Sequence, residues 1–368
     1  MSSSLSKSDA LAARAEQRRA FLNRAGWAAA VATPMTGDAS TRSYERLVLD
    51  GRKAILMNAP AAAESAACPP EASPDERRKL GYNAMARLAG PNLNAFLAVA
   101  ETARKSGLSA PEIFFADPAT GFALIEDLGD DLYARAIPNG ADEADLYGAA
   151  IDALLALRRA APDAPATPGY RMLTYDPVAM EAEITLVLDW YWPHVKGSAA
   201  NDDQRAEHLA AWRPVLEKLA PPSLMVLRDY HAENLLWLPA RDGFRRAGII
   251  DFQDGLFGNP AYDLVSLLED ARRDVAPELA EAMIRRYAEG AARQGAFDEA
   301  AFRRDYAILG AQRNAKILGI FARLINRDSK PRYADFFPRV EAHFRNDLKH
   351  PDLAPVATFY RTHFGDRF

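Results

Sequence analysis

The chain has 368 residues, 49% apolar and 26% charged, enough to bury a large core and more readily two lobes than one domain. Its net charge of −5 leaves no electrostatic footprint for nucleic acid. The single cysteine, Cys68, excludes a disulfide framework within the chain and a Cys-rich structural zinc site.

Residues 9–30 read as an amphipathic helix, with Asp9 as its cap and Leu11, Phe21, Leu22 and Trp27 at apolar positions. Residues 10–20 alternate Arg, Ala and Glu without a long apolar core, so neither a signal peptide nor a membrane span is expected and the cytoplasm is the default. Strand-like runs follow at 43–49 and 53–57, joined by a turn at Asp50-Gly51. Residues 59–75, rich in Ala, Pro, Ser and Glu, read as a loop. A helix is expected at 92–106, with Leu93, Phe96, Leu97 and Val99 on its apolar face, then strands at 112–116 and 121–126. Asp127-Leu128-Gly129-Asp130 punctuates the chain as a hinge. Helical patterns dominate beyond it, at 142–160, 176–193, 203–219, 261–271, 276–294 and 298–326. The expected division is therefore 1–127 and 128–368.

The chemistry concentrates in Leu227-Arg228-Asp229-Tyr230-His231-Ala232-Glu233-Asn234 and Ile249-Ile250-Asp251-Phe252-Gln253-Asp254. An apolar run at 224–227 enters the first segment and another at 235–238 leaves it, as strands would. A turn around Arg241-Asp242-Gly243 then leads to the second segment. An Asp five residues before an Asn, followed by a carboxylate at a strand end, suits phosphoryl transfer. The reaction needs an aligned nucleophile and cations against the charge of the moving group, and little covalent help. Asp229 is the candidate base, with Asn234 and Asp251 as Mg²⁺ ligands supplying hard oxygen donors. Arg228 either organises this loop or pairs with a surface acid. No G-x-x-x-x-G-K-[ST] loop is present, so this is not a P-loop enzyme.

On these segments the chain resembles the aminoglycoside phosphotransferase-like branch of the protein-kinase-like fold. Within that branch it looks similar to the anomeric sugar kinases of bacterial cell-wall recycling, which act on N-acetylmuramate and N-acetylglucosamine. The resemblance also rests on Gly37–Tyr44, Ile55–Pro60, Ile125–Asp130 and Lys316–Leu324, in the expected order. It implies an α+β, bilobal fold with a small antiparallel-sheet N-lobe that binds nucleotide and a mostly helical C-lobe for catalysis and substrate. ATP and Mg²⁺ are the implied cofactors and a small amino sugar the substrate; the sequence leaves the oligomeric state open, a monomer being compatible with it. Ser40, Thr41 and Arg42 are implied phosphate contacts from a turn between strands. Glu126 and Leu128 are placed at an adenine-binding hinge that reads the base through backbone groups, and Asp263 is implied to brace the catalytic loop.

The lysine that such enzymes carry on their third strand is missing, since Met57 or Asn58 stands there. Lys53 shares a face with Met57 but lies about 13 Å back along the strand. Glu101, on the 92–106 helix, would be the usual partner. For the sugar, His231 can reach hydroxyls or the γ-phosphate, or be an ordinary solvated loop residue. Arg313 and Lys316, three apart on a helix, can hold the lactyl carboxylate of N-acetylmuramate or form a solvated basic face. The aromatics of Asp189-Trp190-Tyr191-Trp192 suit a sugar ring but equally a core, and core is the stronger reading. Two rival functions stay open. One is an aminoglycoside or other small-alcohol phosphotransferase, given the acids Glu233, Asp254, Glu269 and Asp270. The other, motivated by the missing lysine, is a catalytically silent nucleotide-binding protein.

Overall fold

The computed structural model describes residues 7–35, 42–60, 67–161 and 163–368. Helix α1 (Lys7–Arg24) is followed by strands β1 (Val31–Met35), β2 (Ser43–Leu49) and β3 (Arg52–Asn58). Helices α2 (Pro74–Leu80), α3 (Tyr82–Met85) and α4 (Leu93–Lys105) then lead to β4 (Ile113–Asp117) and β5 (Phe122–Ile125). The five strands form one antiparallel sheet in the order β1-β2-β3-β5-β4. The β2–β3 turn falls on Asp50 and Gly51, both at positive φ (50° and 75°), the backbone of a two-residue hairpin whose twist matches its strands.

Alternation along β3 sends its side chains to two different cores. Ala54 and Leu56 join Leu47, Phe122 and Leu124 under Phe21, Leu22 and Trp27, so α1 and its following turn cap the outer face. Ile55 and Met57 join Ala123, Ile125 and the α4 residues Phe96, Val99 and Ala100 in the main core. Helix α1 stops at Arg24 rather than continuing to residue 30, because Gly26 takes a left-handed conformation (φ 74°) that ends the turn.

The remainder is mostly helical, as expected: α5 (Tyr133–Ala136), α6 (Glu143–Ala160), the two-residue strands β6 (Ala166–Thr167) and β7 (Tyr170–Arg171), α7 (Pro177–Leu186), α8 (Trp192–Lys196) and α9 (Asp202–Leu216). Four three-residue strands follow: β8 (Leu224–Val226), β9 (Leu235–Trp237), β10 (Ala247–Ile249) and β11 (Leu256–Gly258). They are succeeded by α10 (Ala261–Leu268), α11 (Pro277–Gln294), α12 (Glu299–Asn326), α13 (Phe337–Asp347) and α14 (Ala354–Phe364). Strand β8 pairs with β11 and β9 with β10, both antiparallel. These two ribbons hold the 227–234 and 250–255 loops side by side.

Tyr191 and Trp192 are buried against Phe337, Phe359, Phe364 and Phe368. The aromatic run therefore serves the core rather than a sugar platform, and a π-helical turn at Val187–Tyr191 turns it inward. No helix among the described residues is long and apolar enough to cross a membrane.

Candidate active site

The catalytic loop is built around Asp263 of α10. Its carboxylate accepts the backbone N–H groups of Leu227 (2.8 Å) and Arg228 (2.9 Å), the residues just before Asp229. Complete burial pushes the Asp263 pKa up to about 7, against the pull of those two donors. The bracing role implied by resemblance is thus present as geometry. Arg228 sits at φ 72° and Asp251 at φ 59°, left-handed conformations that cost a non-glycine residue on the order of 1–3 kcal/mol. Strain of this kind at two facing loop positions must be held by the surroundings.

What holds Arg228 is a buried network. Its guanidinium donates to Glu183 and to Asp254 O (3.4 Å) and lies 5.5 Å from the centroid of the Tyr175 ring. Arg228 is 2% exposed and Glu183 0%. The side chain therefore points into the core and organises the loop from there. Its acid is buried rather than on the surface.

Asp229 is half-buried, and its main-chain carbonyl accepts from Asn234 Nδ2 at 3.0 Å. That bond commits the amide nitrogen and leaves Asn234 Oδ1 as the end available to a cation. His231 Nε2 lies 3.3 Å from the same Nδ2. The histidine is buried, which lowers its pKa to about 4, so it is a neutral acceptor bracing Asn234. The expectations of a solvated histidine or a sugar contact at His231 are corrected accordingly.

Asp251 follows β10, and its side chain stays 48% exposed. Its pKa is raised by its recessed position first and by neighbouring Asp229 second. Gln253 Nε2 donates to Asp251 Oδ1 (2.9 Å), and Arg42 Nη1 approaches the same oxygen at 3.9 Å. The next residue, Phe252, stacks on Phe96 of α4 (centroids 5.1 Å apart, planes at 14°) and anchors the loop to the N-lobe helix. Asp229 raises the pKa of Asp251, and the two carboxylates beside the Asn234 amide oxygen form a donor set that a hard cation relieves. Among the described residues no three or more of His, Cys, Asp and Glu cluster as a metal cage. Two carboxylates and an amide oxygen are hard donors that fit Mg²⁺, which draws its other ligands from water and phosphate.

Arg42 also donates to Gly90 O (3.2 Å). Ser40 and Thr41 lie outside the described residues. Met57 is buried and carries no charge, Lys53 is exposed at the start of β3, and Glu101 pairs with Lys105 of its own helix (2.6 Å). The strand-lysine arrangement is thus absent in space as in sequence. At the hinge, the Glu126 N–H is spent on Glu112 O (2.8 Å) and its carboxylate pairs with Arg241 (2.5 Å), so neither is free for adenine. Leu128 is half-buried beside it. A residue that sequence reasoning passed over, Arg46, reaches from β2 to Asp127 (2.7 Å) and Asp130 (2.8 Å) and ties the sheet to the hinge. Its partners lie more than eighty residues away, so no local pattern marks it.

Arg313 and Lys316 are corrected as well. Arg313 is buried and donates to Ser266 Oγ (3.0 Å) and Glu269 O (3.4 Å), whereas Lys316 pairs with Glu183 (3.0 Å) and meets Tyr262 OH (3.4 Å). The two cations separate onto different partners and do not converge on one anion.

A fold with this loop pair defines a kinase-like phosphotransferase. The family model described as "Phosphotransferase enzyme family" matches residues 31–302, well over half of the chain, and the chain belongs to that family. A relative from Caulobacter vibrioides, named N-acetylmuramate/N-acetylglucosamine kinase, is 45% identical over 351 residues, covering 94% of this chain and 96% of its own. One from Pseudomonas putida with the same name is 31% identical, covering 88% and 86%. Among solved structures, an aminoglycoside phosphotransferase-like protein from Ralstonia eutropha superposes with a TM-score of 0.54 at 14% identity, over 91% of this chain and 98% of that one. The aminoglycoside phosphotransferase APH(4)-Ia gives 0.52 at 14% identity, over 91% and 98%. These structural likenesses establish the shared bilobal fold.

Proposed function

We propose that this protein transfers the γ-phosphoryl group of ATP to the anomeric hydroxyl of N-acetylmuramate and N-acetylglucosamine, as in cell-wall recycling. The observation that carries the phosphotransferase chemistry is the meeting of Asp229, Asn234 and Asp251 across two short ribbons, braced by Asp263 and Phe96. The names of the full-length relatives support the sugar.

Asp229 aligns the acceptor hydroxyl and takes its proton as the oxygen attacks phosphorus and the bond to the β–γ bridging oxygen breaks, releasing ADP. Asn234 and Asp251 would hold Mg²⁺, which when bound would supply charge neutralisation for the phosphates. Arg42 replaces the missing strand lysine as the cation facing the phosphates, from the segment that also carries Ser40 and Thr41. Backbone recognition of adenine falls to Glu126 C=O and the Leu128 amide, because the Glu126 N–H is already bonded.

The test is ADP release in Mg²⁺ with N-acetylmuramate, N-acetylglucosamine or kanamycin as acceptor, with Asp229→Asn as the blank. The reading expects turnover on both amino sugars and none on kanamycin. Turnover on kanamycin alone would move the protein to the aminoglycoside branch, and silence with every acceptor would favour a nucleotide-binding role.

A further inference from the structure

A second cavity-forming region adjoins the site. Residues 67–70, the Arg87–Ala89 turn, the β6–β7 hairpin and the segment after Asp251 enclose a pocket of about 250 Å³. Its link to the reaction centre is Gln253, which lines the pocket and donates to Asp251 Oδ1 at 2.9 Å. The volume lies just below the range of about 300–1,000 Å³ typical of drug-sized ligands, so it matches a monosaccharide rather than a multi-ring antibiotic.

The charged side chains of the lining are arginines, and the adjoining carboxylate, Asp254, is turned onto the Ala89 N–H (2.7 Å). Arg87 and Arg171 line the pocket, and no described lining residue is a carboxylate. Arg171 sits on the exposed hairpin and pairs with the exposed Glu71 (2.8 Å). Arg87 shares Asp176 with the buried Arg77, at 2.7 Å and 2.6 Å, so two guanidinium groups face one carboxylate and a positive charge is left over. Asp176 is further committed to capping α7 through Ala179 N (2.9 Å). Among the described residues Arg87 Nε is buried without a hydrogen-bond partner, an unusual state for a donor of this strength. The Arg87 backbone is left-handed (φ 55°), a conformation that costs energy and is retained here by the surrounding turn.

From this excess charge, the orphaned donor and the shared Gln253 wall, we propose that Arg87, seconded by Arg171, is the specificity determinant for an acceptor carboxylate. For the amino sugars this is the lactyl group that N-acetylmuramate carries and N-acetylglucosamine lacks. The inference rests on the sugar-kinase reading above and adds where the two substrates are told apart. The same lining disfavours polycationic aminoglycosides, since it offers them no acid.

The experiment measures kcat/KM for both sugars in the wild type, Arg87→Gln, Arg87→Lys and Arg171→Gln. A charge-assisted hydrogen bond to the carboxylate predicts that Arg87→Gln lowers the ratio of N-acetylmuramate to N-acetylglucosamine efficiency by about 10- to 100-fold, with partial recovery in Arg87→Lys. N-acetylglucosamine turnover reports folding within the same preparation. An unchanged ratio, with both efficiencies falling together, would make Arg87 a structural residue and overturn the assignment while leaving the sugar-kinase reading intact. If Arg87→Gln does not fold, the ratio in Arg171→Gln decides: a fall supports the electrostatic reading and no change overturns it. A wild-type protein inactive on both sugars would remove the reading and the inference together.

Discussion

Glu183 is the residue whose removal should damage this protein most for its size. It is fully buried and accepts from four side chains: Arg228, Tyr175 OH, Lys316 (3.0 Å) and Gln312 Nε2 (2.9 Å). Two of these are cations, so the cluster carries one surplus positive charge in the native state. Glu183→Ala would leave both cations buried and opposed, whereas Arg228→Met would leave Glu183 and Lys316 as a balanced pair. Breaking a buried pair on the side that strands charge costs about 3–5 kcal/mol, a large share of a typical total of about 5–15 kcal/mol. Arg228→Met should cost about 1–2 kcal/mol, the ordinary range for a substitution of this kind.

Urea unfolding at pH 7 with both variants tests this ordering, and ADP release tests its functional side. Arg228→Met should lower turnover more than its modest stability loss implies, because its side chain holds a strained residue directly beside Asp229. Burial pushes the Glu183 pKa up, but Lys316 and Arg228 outweigh it and hold the carboxylate down at about 2. The stability this confers is present above the unfolded value near 4.5 and is lost as pH falls toward 2. A Glu183→Ala variant less destabilised than Arg228→Met would refute the charge argument.

Three further outcomes follow from the site. Asp263→Asn should cost about 1–3 kcal/mol by disturbing the two buried bonds that the Leu227 and Arg228 N–H groups donate to it. Because the native Asp263 pKa is raised from 3.8 to about 7, the folded state binds the extra proton across that window and stability falls as pH rises through it. The Asn variant should show a flatter melting temperature between pH 5 and 8. Arg42→Ala should raise the KM for ATP about 10- to 100-fold if it is the phosphate-facing cation, while Lys53→Ala should change it by less than about twofold; equal effects would return the role to Lys53. Phe96→Ala removes the stack on Phe252 and should cost about 3–5 kcal/mol, with a rise in the Mg²⁺ concentration needed for half-maximal rate as Asp251 loses its anchor.

The features legible in the sequence are those written in local spacing. Ser43–Leu49 and its turn at Asp50-Gly51 appear as read, because alternation and a two-residue turn are properties of adjacent residues. Asp229, Asn234 and Asp251 come together because short apolar strands flank both loops. What the sequence hid is long-range pairing. Arg228 finds Glu183 forty-five positions away, and Arg46 finds Asp127 and Asp130 across the hinge. Arg313 and Lys316 looked like a solvated face because charge three apart on a helix normally is. Helix α12 is instead buried along much of its length, and the acids and hydroxyls of α7 and α10 receive those cations. Arg87 gave no signal, since a left-handed arginine and a shared carboxylate are visible only in three dimensions.

The most direct test of the central claim is ³¹P–¹H correlation NMR on the product formed from ATP, Mg²⁺ and N-acetylmuramate, with Asp229→Asn run in parallel. The account predicts a phosphoester coupled to the anomeric proton in the wild-type reaction and a rate lower by about 10²–10⁴ in the variant. A phosphoester on any other sugar oxygen, or an Asp229→Asn protein that turns over at the wild-type rate, would contradict it.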